Sequence, residues 1–438
     1  MLLAAGLVAA LAGGLMFGAA ITMGGRPVPS APSSGPVTAA TFEQLSSASL
    51  TAGIGQLQAH LRTQPRDATG WATLGLSYVE QARLTADPAY YPKASAALAE
   101  ALRVRPADND EAYAGLGALA AARHDFGSAL READRALAIN PFGARALAVR
   151  IDALVELGRY PAAMAAATHA DETAPGIPVF TRLAYINELY GHTAEARRVL
   201  DLALISADDP GDLAYVHAQL GELAWSHGDM ATAGREFAAA LRADPGYVAA
   251  MEGLARVRAA TGDVAGALRD LQVVVTRLPL PGYLTEYGEL LTSVGRPAEA
   301  ARQYAVARAW VTLAKASGVA TDLETALFAA DHGDKAEALH AARAEWARRH
   351  SVHVADALAW ALHVNGRDAE ALGYTKRANG LGYRNALFRY HQGMIEKSLG
   401  LTPDARRDLT AALRLNPHFS FLHAPLAKAA LVSLGGAS

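Results

Sequence analysis

Residues 144 to 175 read ARALAVRIDALVELGRYPAAMAAATHADETAP. In the first half, Leu147, Ile151, Leu154 and Val155 recur at helical spacing. Gly158 follows, suited to the left-handed backbone that ends a helix. Pro161 stands where a second helix begins, a place proline tolerates because its missing N–H would have no helical partner there. The second helix runs through Met164 and Ala167 and stops at Pro175. The stretch predicts a helical hairpin.

The hairpin recurs along the chain. GRPAEAARQYAVA (residues 295–307), GDKAEALHAARAE (333–345) and GRDAEALGYTKRA (366–378) are near copies of one phrase. Turn glycines stand at 158, 191, 228, 262, 295, 333, 366 and 400, with gaps of 33, 37, 34, 33, 38, 33 and 34 residues. Phrase-ending prolines at 106, 141, 175, 245, 279 and 417 keep the same period or multiples of it. After the turn, Asp229, Asp263, Asp334 or Thr193 is placed to cap the second helix. A small residue follows early in that helix: Ala129, Ala163, Ala196, Ala233, Ala267, Ala300, Ala338, Ala371 and Ala405. A small side chain lets two helices approach closely, so each copy is expected to pack on its neighbour in the same way.

These residues make the chain resemble the tetratricopeptide repeat (TPR) proteins, whose unit is a 34-residue helix-turn-helix with the pattern W-x2-L-G-x2-Y…A-x3-F…A…P. WATLGLSY (Trp71, Leu74, Gly75, Tyr78) matches the first half. Tyr113, Leu116 and Gly117, followed by Ala129, Ala136 and Pro141, match well, as does LGELA with Ala233, Phe237, Ala240 and Pro245. FRYHQGMIE with Gly393, Ala405, Leu409, Ala412 and Pro417 matches again. The resemblance implies an all-α solenoid, a right-handed superhelix of about ten units over residues 68–108, 110–143, 144–176, 177–210, 214–247, 248–280, 281–314, 319–351, 352–385 and 386–419. A lone helix before Trp71 and a capping helix at 424–434 complete a solenoid region spanning 50–438. The units near 177, 319 and 352 depart from the pattern at its Trp, Leu or Gly positions, and the first unit carries an insertion around TADPAYYPK. Tyr90 and Tyr91 in that insertion mark either an exposed aromatic spot or the packing of an enlarged hairpin.

In that family the first helix of each unit lines a concave groove that holds protein partners. Carried onto this chain, the resemblance places Glu111, Asp152, Glu188, Glu222, Glu252, Glu289 and Asp356 in the groove. Arg145, Arg256 and Lys397 are its cations, and Tyr185, Tyr215, Trp225, Trp360, Tyr390 and Met394 its apolar contacts. The family's carboxylate-binding variants use Lys, Arg and Asn there, and this chain does not. The expected partner is a protein or peptide segment, basic or neutral, and the expected role is a non-catalytic interaction scaffold.

Composition agrees with a folded chain. Of 438 residues, 51% are hydrophobic and 19% charged, which excludes a disordered composition. A net charge of −3 argues against a nucleic-acid binder, which carries a basic patch. The absence of cysteine excludes disulfides, thiol nucleophiles and cysteine-ligated zinc. No phosphate-binding loop, H-E-x-x-H, dinucleotide fingerprint or EF-hand loop is present, so neither an enzyme, a cofactor nor a metal is expected. The histidines, His350 and His353 in RRHSVH among them, are scattered and read as structural.

The first 24 residues differ from the rest. Residues 2–23, LLAAGLVAALAGGLMFGAAITM, carry no charge. As a helix rising about 1.5 Å per residue they reach roughly 33 Å, enough to cross a bilayer core. They are expected to form a retained anchor or a cleaved signal peptide, the latter with Gly18 and Ala20 as its small residues. Residues 25–49, rich in Pro, Ser and Gly, read as a flexible linker. The repeats then hang on a tether outside the cytoplasm; a secreted or cytosolic adaptor with a cleaved or misread leader is the alternative.

Overall fold

A computed structural model describes residues 47–435. The apolar segment 1–24 and the linker up to residue 46 lie outside the described residues. Among the described residues there are 22 helices and no strand. None of these helices is long and apolar enough to cross a membrane.

The chain opens with α1 (Ser47–Thr63) and continues as ten hairpins. The first four are α2 (Ala68–Thr85) with α3 (Tyr90–Val104), α4 (Asp110–Ala122) with α5 (Phe126–Ile139), α6 (Ala144–Glu156) with α7 (Tyr160–Thr173), and α8 (Ile177–Leu189) with α9 (Thr193–Ile205). Next come α10 (Pro210–Ser226) with α11 (Met230–Ala243), α12 (Val248–Ala260) with α13 (Val264–Arg277), and α14 (Pro281–Ser293) with α15 (Pro297–Ala316). Last are α16 (Asp322–His332) with α17 (Lys335–Arg348), α18 (Val352–Val364) with α19 (Asp368–Asn379), and α20 (Ala386–Ser398) with α21 (Thr402–Leu415). A final helix, α22 (His423–Ser433), covers α20 and α21. The fold is an all-α repeat solenoid.

Local chemistry sets the helix ends. The side chains of Asp125, Asp229, Asp263 and Asp334 accept backbone N–H groups from the first turn of α5, α11, α13 and α17. Thr193 does not cap α9 as expected: the helix begins at Thr193 itself, with His192 in the cap position. Its hydroxyl instead meets His227 Nε2 at 2.9 Å, tying one turn to the next. The insertion in the first unit lengthens α2 to 18 residues, against 13 in α4. Tyr90 and Tyr91 pack that enlarged hairpin, Tyr90 stacking on Tyr78 and Tyr91 lying under Arg123.

All nine early alanines of the second helices are buried at 0–1% exposure, where any larger group meets the facing helix. Ala267→Leu is therefore expected to cost about 1–3 kcal/mol through overpacking, read as a lowered urea midpoint. The pattern glycines act from the other side. A Cβ at Gly221 would sit 2.6 Å from the Phe237 ring, so the absent side chain is what admits the aromatic.

The solenoid coils until its hairpins meet again. Ala320 N donates to Arg123 O at 2.9 Å, and His124 Nδ1 donates to Ala320 O at 2.9 Å. Val352 N donates to Tyr160 Oη at 2.7 Å, and Asn416 Nδ2 donates to Trp225 O at 2.8 Å. Arg349 pairs with Glu156 and with Glu345, its guanidinium 4.8 Å from the Phe126 ring centroid. The partners in these four hydrogen bonds and in the Arg349–Glu156 pair are 191 to 197 residues apart. Divided by a 34-residue repeat, that separation is about 5.7 hairpins per superhelical turn. Trp310 Nε1 donates to Ala86 O at 2.8 Å across 224 residues, so the elongated α15 meets the end of the elongated α2. A polar seam thus joins successive turns of the coil; first helices pack on the first helices of neighbouring hairpins more closely than second helices pack on second, which makes the first-helix side the tighter, inner side of the coil.

Candidate interaction surface on the inner face

The repeat period builds the inner face. Glu188, Glu222 and Arg256 are each 34 residues apart, which puts them on one row across α8, α10 and α12. Arg256 pairs with Glu222, with Glu252 Oε1 at 2.5 Å, and more loosely with Glu286 Oε1 at 3.9 Å. Its guanidinium lies 5.0 Å from the Trp225 ring centroid. One arginine thus serves three carboxylates, and Glu188 adds a fourth beside Glu222.

Other acids on this face have their own basic partners. Arg182 Nη2 meets Asp152 Oδ2 at 2.6 Å, both buried. Glu289 Oε1 and His332 Nε2 are 2.9 Å apart. Toward the C-terminal end the face becomes aromatic. Trp360 donates from Nε1 to Asp331 at 2.8 Å and stacks on His391 with centroids 4.1 Å apart. His391 Nδ1 lies 2.9 Å from Asp356, and Tyr390 packs against His423.

Of the sixteen residues expected to line the groove, nine are buried: Asp152, Tyr215, Trp225, Glu252, Arg256, Glu289, Asp356, Trp360 and Tyr390. Arg145, Tyr185, Glu188, Glu222, Met394 and Lys397 are half-buried, and Glu111 is exposed. Access from solvent therefore concentrates on the seven that are not buried. Glu286, Arg182, His391, His423 and Tyr383 were not anticipated. Glu286 had a signal, since it stands one 34-residue period after Glu252. Tyr383 reaches Glu188 from across the seam, and no local pattern announces that.

Crowding shapes the acid–base behaviour. Burial, with the Glu222 charge next to it, pushes the Glu188 carboxyl up to about 8. Burial pushes Glu222 up to about 7 against the pull of Arg256, and Asp152 to about 6 against the pull of Arg182. Glu252 is held well above the carboxylate range by burial and by Glu286. His353 moves the other way: burial holds it down to about 3.

These shifts fix a pH dependence. A carboxyl raised in the folded state stabilises the fold while it is protonated, and that contribution is lost as pH rises toward its folded value. His353 acts only below its ordinary value of 6.5, because above that it is neutral both folded and unfolded. Between pH 6.5 and 8.5 the raised acids act alone, so the melting temperature is expected to fall across that interval. Thermal melts at the two ends check it; a flat or rising profile would overturn the raised values of Glu188 and Glu222.

Among the described residues no group of three or more His, Asp or Glu is arranged to hold a metal ion. The hairpin geometry, the turn glycines and the buried alanines together define a TPR-like helical solenoid. No protein-family model matches the sequence, and no curated protein matches it. Among solved structures the chain is similar to a chain of the APC/C hetero-tetramer Cut9–Hcn1, at 16% identity over 90% of this chain and 84% of that one, TM-score 0.40. It is also similar to TTC0263, a thermophilic TPR protein of Thermus thermophilus, at 24% identity over 40% of this chain and 90% of that one, TM-score 0.35. Human IFIT1, in a dimer with PPP-AAAA, is similar at 13% identity over 84% and 86% of the two chains, TM-score 0.46. Likeness at this level carries no statement about function.

Proposed function

We propose that the chain is a non-catalytic protein-interaction scaffold whose inner face takes an extended, cation-bearing segment of a partner protein. One observation carries the reading. Glu188 and Glu222 keep part of their surface in solvent on a face where one arginine already serves three carboxylates. Opposite charge on a partner would be drawn there, and like charge excluded. The uncharged run at residues 2–23 supports a membrane tether with the solenoid outside the cytoplasm, where such a scaffold would assist assembly of envelope proteins. A soluble adaptor whose leader is removed is the competing arrangement; intact mass and membrane fractionation separate the two.

The test is a cross-linked pull-down with the full chain as bait, the cross-links mapped by mass spectrometry. The expected result is a partner linked to inner-face residues and released by salt, since screened charges lose attraction beyond about 8 Å at physiological ionic strength. Cross-links confined to the outer helices α5, α9 or α13 would overturn the inner-face reading.

A further inference from the structure

The cluster around Arg256 does not balance. Three carboxylates, Glu222, Glu252 and Glu286, face one guanidinium, and a fourth, Glu188, lies beside Glu222; two of them are almost wholly enclosed, Glu252 at 0% and Glu286 at 2% exposure. Arg256 Nε lies close to Glu252 Oε1 but is not aimed along a hydrogen bond, and among the described residues no other donor hydrogen-bonds that oxygen or Glu286 Oε2. Buried acceptors of this kind are rare and costly. They can be satisfied by a proton held between the two carboxyls or by a cation whose approach lets Arg256 turn fully onto them. The outer half of the cluster is open to such a cation. The Glu222 side chain is 18% exposed, Glu188 is half-buried, and Tyr185 stands on the same helix as Glu188, its hydroxyl without a hydrogen-bond partner among the described residues.

We propose that Glu188 and Glu222 form a binding site for a single organic cation, the guanidinium or ammonium group of a partner segment, and that its capture releases a proton from the cluster to solvent. The inference rests on the scaffold reading and specifies what the inner face recognises. The exchange is electrostatic and makes no covalent bond. The arriving cation takes Glu222, Arg256 shifts onto Glu252 and Glu286, and the proton those carboxyls share is no longer favoured. Tyr185, half-buried on the same helix, supplies aromatic surface near Glu188, which suits a planar guanidinium.

The surrounding charges fit this assignment. From α6, Asp152 faces Arg182 of α8 and is already paired with it, and Glu156 is paired with Arg349 across the seam. From α11, Glu236 is paired with His217 of α10. From α12 and α14, Arg256, Glu252 and Tyr283 lie near Glu222, Glu286 lies near Arg256, Glu252 and Glu289, and from across the seam Tyr383 lies near Glu188 and Glu222. The groups that gain or lose a proton near neutrality are thus raised carboxyls of the cluster, Glu222 near 7 and Glu188 near 8, with Glu252 also held well above the carboxylate range, each chiefly by burial.

The experiment is titration calorimetry of the full chain with two acetylated, amidated glycine–serine peptides, one carrying a single arginine and the other citrulline, which keeps the shape without the charge. Free arginine amide is run beside them. The expected result is binding of the arginine peptide alone, with proton release detected by repeating the titration in buffers of different ionisation heat. Affinity should rise more than about tenfold from pH 6 to 8.5 as two carboxyls near 7 and 8 lose their protons. Glu222→Gln and Glu188→Gln should each weaken binding about tenfold while leaving the helical circular dichroism unchanged. Arginine amide binding as tightly as the peptide would place a free metabolite, not a protein segment, in the site and overturn the assignment to a partner. Equal binding of arginine and citrulline peptides, binding with no proton released, or no binding of any probe would overturn the proposal. In those cases a partner cross-linked to the inner face elsewhere would leave the scaffold reading standing, and cross-links confined to the outer helices would remove both.

Discussion

Arg349→Met lowers the stability of the folded chain by about 3–5 kcal/mol, the range for removing one partner of a buried ion pair. Arg349 is 2% exposed and lies between Glu156, on the opposite side of the seam, and Glu345 in the last turn of α17, the helix it follows. Without it two buried carboxylates face each other, and Arg348 pairs with Glu345 only from a more exposed position. Changing Glu156 and Glu345 to Gln in the same background removes the stranded charge and is expected to restore most of the loss. Denaturant melts check both variants. A loss below about 1 kcal/mol in Arg349→Met would mean that the seam is solvated and that the pair behaves like a surface salt bridge.

Gly158→Ala is expected to destabilise by about 3 kcal/mol, against about 1 kcal/mol for the same exchange at Gly366, the sum of two effects at the first site and one at the second. Both glycines end the first helix of a hairpin in the left-handed region, with φ of 74° and 71°. Alanine pays a strain of roughly 1–2 kcal/mol there in either case. The difference lies in what surrounds them. A Cβ at Gly158 would stand 2.5 Å from the carbonyl oxygen of His350, a backbone atom of the next superhelical turn, whereas a Cβ at Gly366 meets nothing within 4 Å. Overpacking against backbone adds about 1–3 kcal/mol. Small-angle scattering adds an independent readout, because an opened seam enlarges the radius of gyration and a strained turn alone does not. Equal losses for the two variants would show that the coil does not close at Gly158.

The repeat was legible because its determinants are local. Gly158 and Pro161 announce a turn within four residues, and Ala267 declares a helix contact whichever hairpin it belongs to. The inner row was partly legible for the same reason, since adding one period to Glu188 gives Glu222 and then Arg256. The pairing of those charges was not. Whether Glu222 faces solvent or Arg256 depends on how tightly successive hairpins rotate, and that rotation is the sum of small packing differences along α8 to α14. The seam lay further out of reach. His350 and Gly158 meet only because the coil returns after about 5.7 hairpins. Nothing within either turn encodes the other.

The seam also changes what kind of object the chain is. In an open array each hairpin answers only to its two neighbours, so units can be gained, lost or duplicated with local consequences. Here the elongated α2 meets the elongated α15, and the turns at Gly158, Gly191 and Gly228 each face a particular backbone segment near His350, Gly382 and Leu415. Deleting the unit 248–280 would slide every later residue past its counterpart by one hairpin and leave no turn opposite its match. Such a chain has given up modular growth. Its ancestry by duplication is still written in the sequence, but further duplication is closed to it, and its folding draws on contacts nearly two hundred residues apart, with the slower and more concerted kinetics that such separations bring.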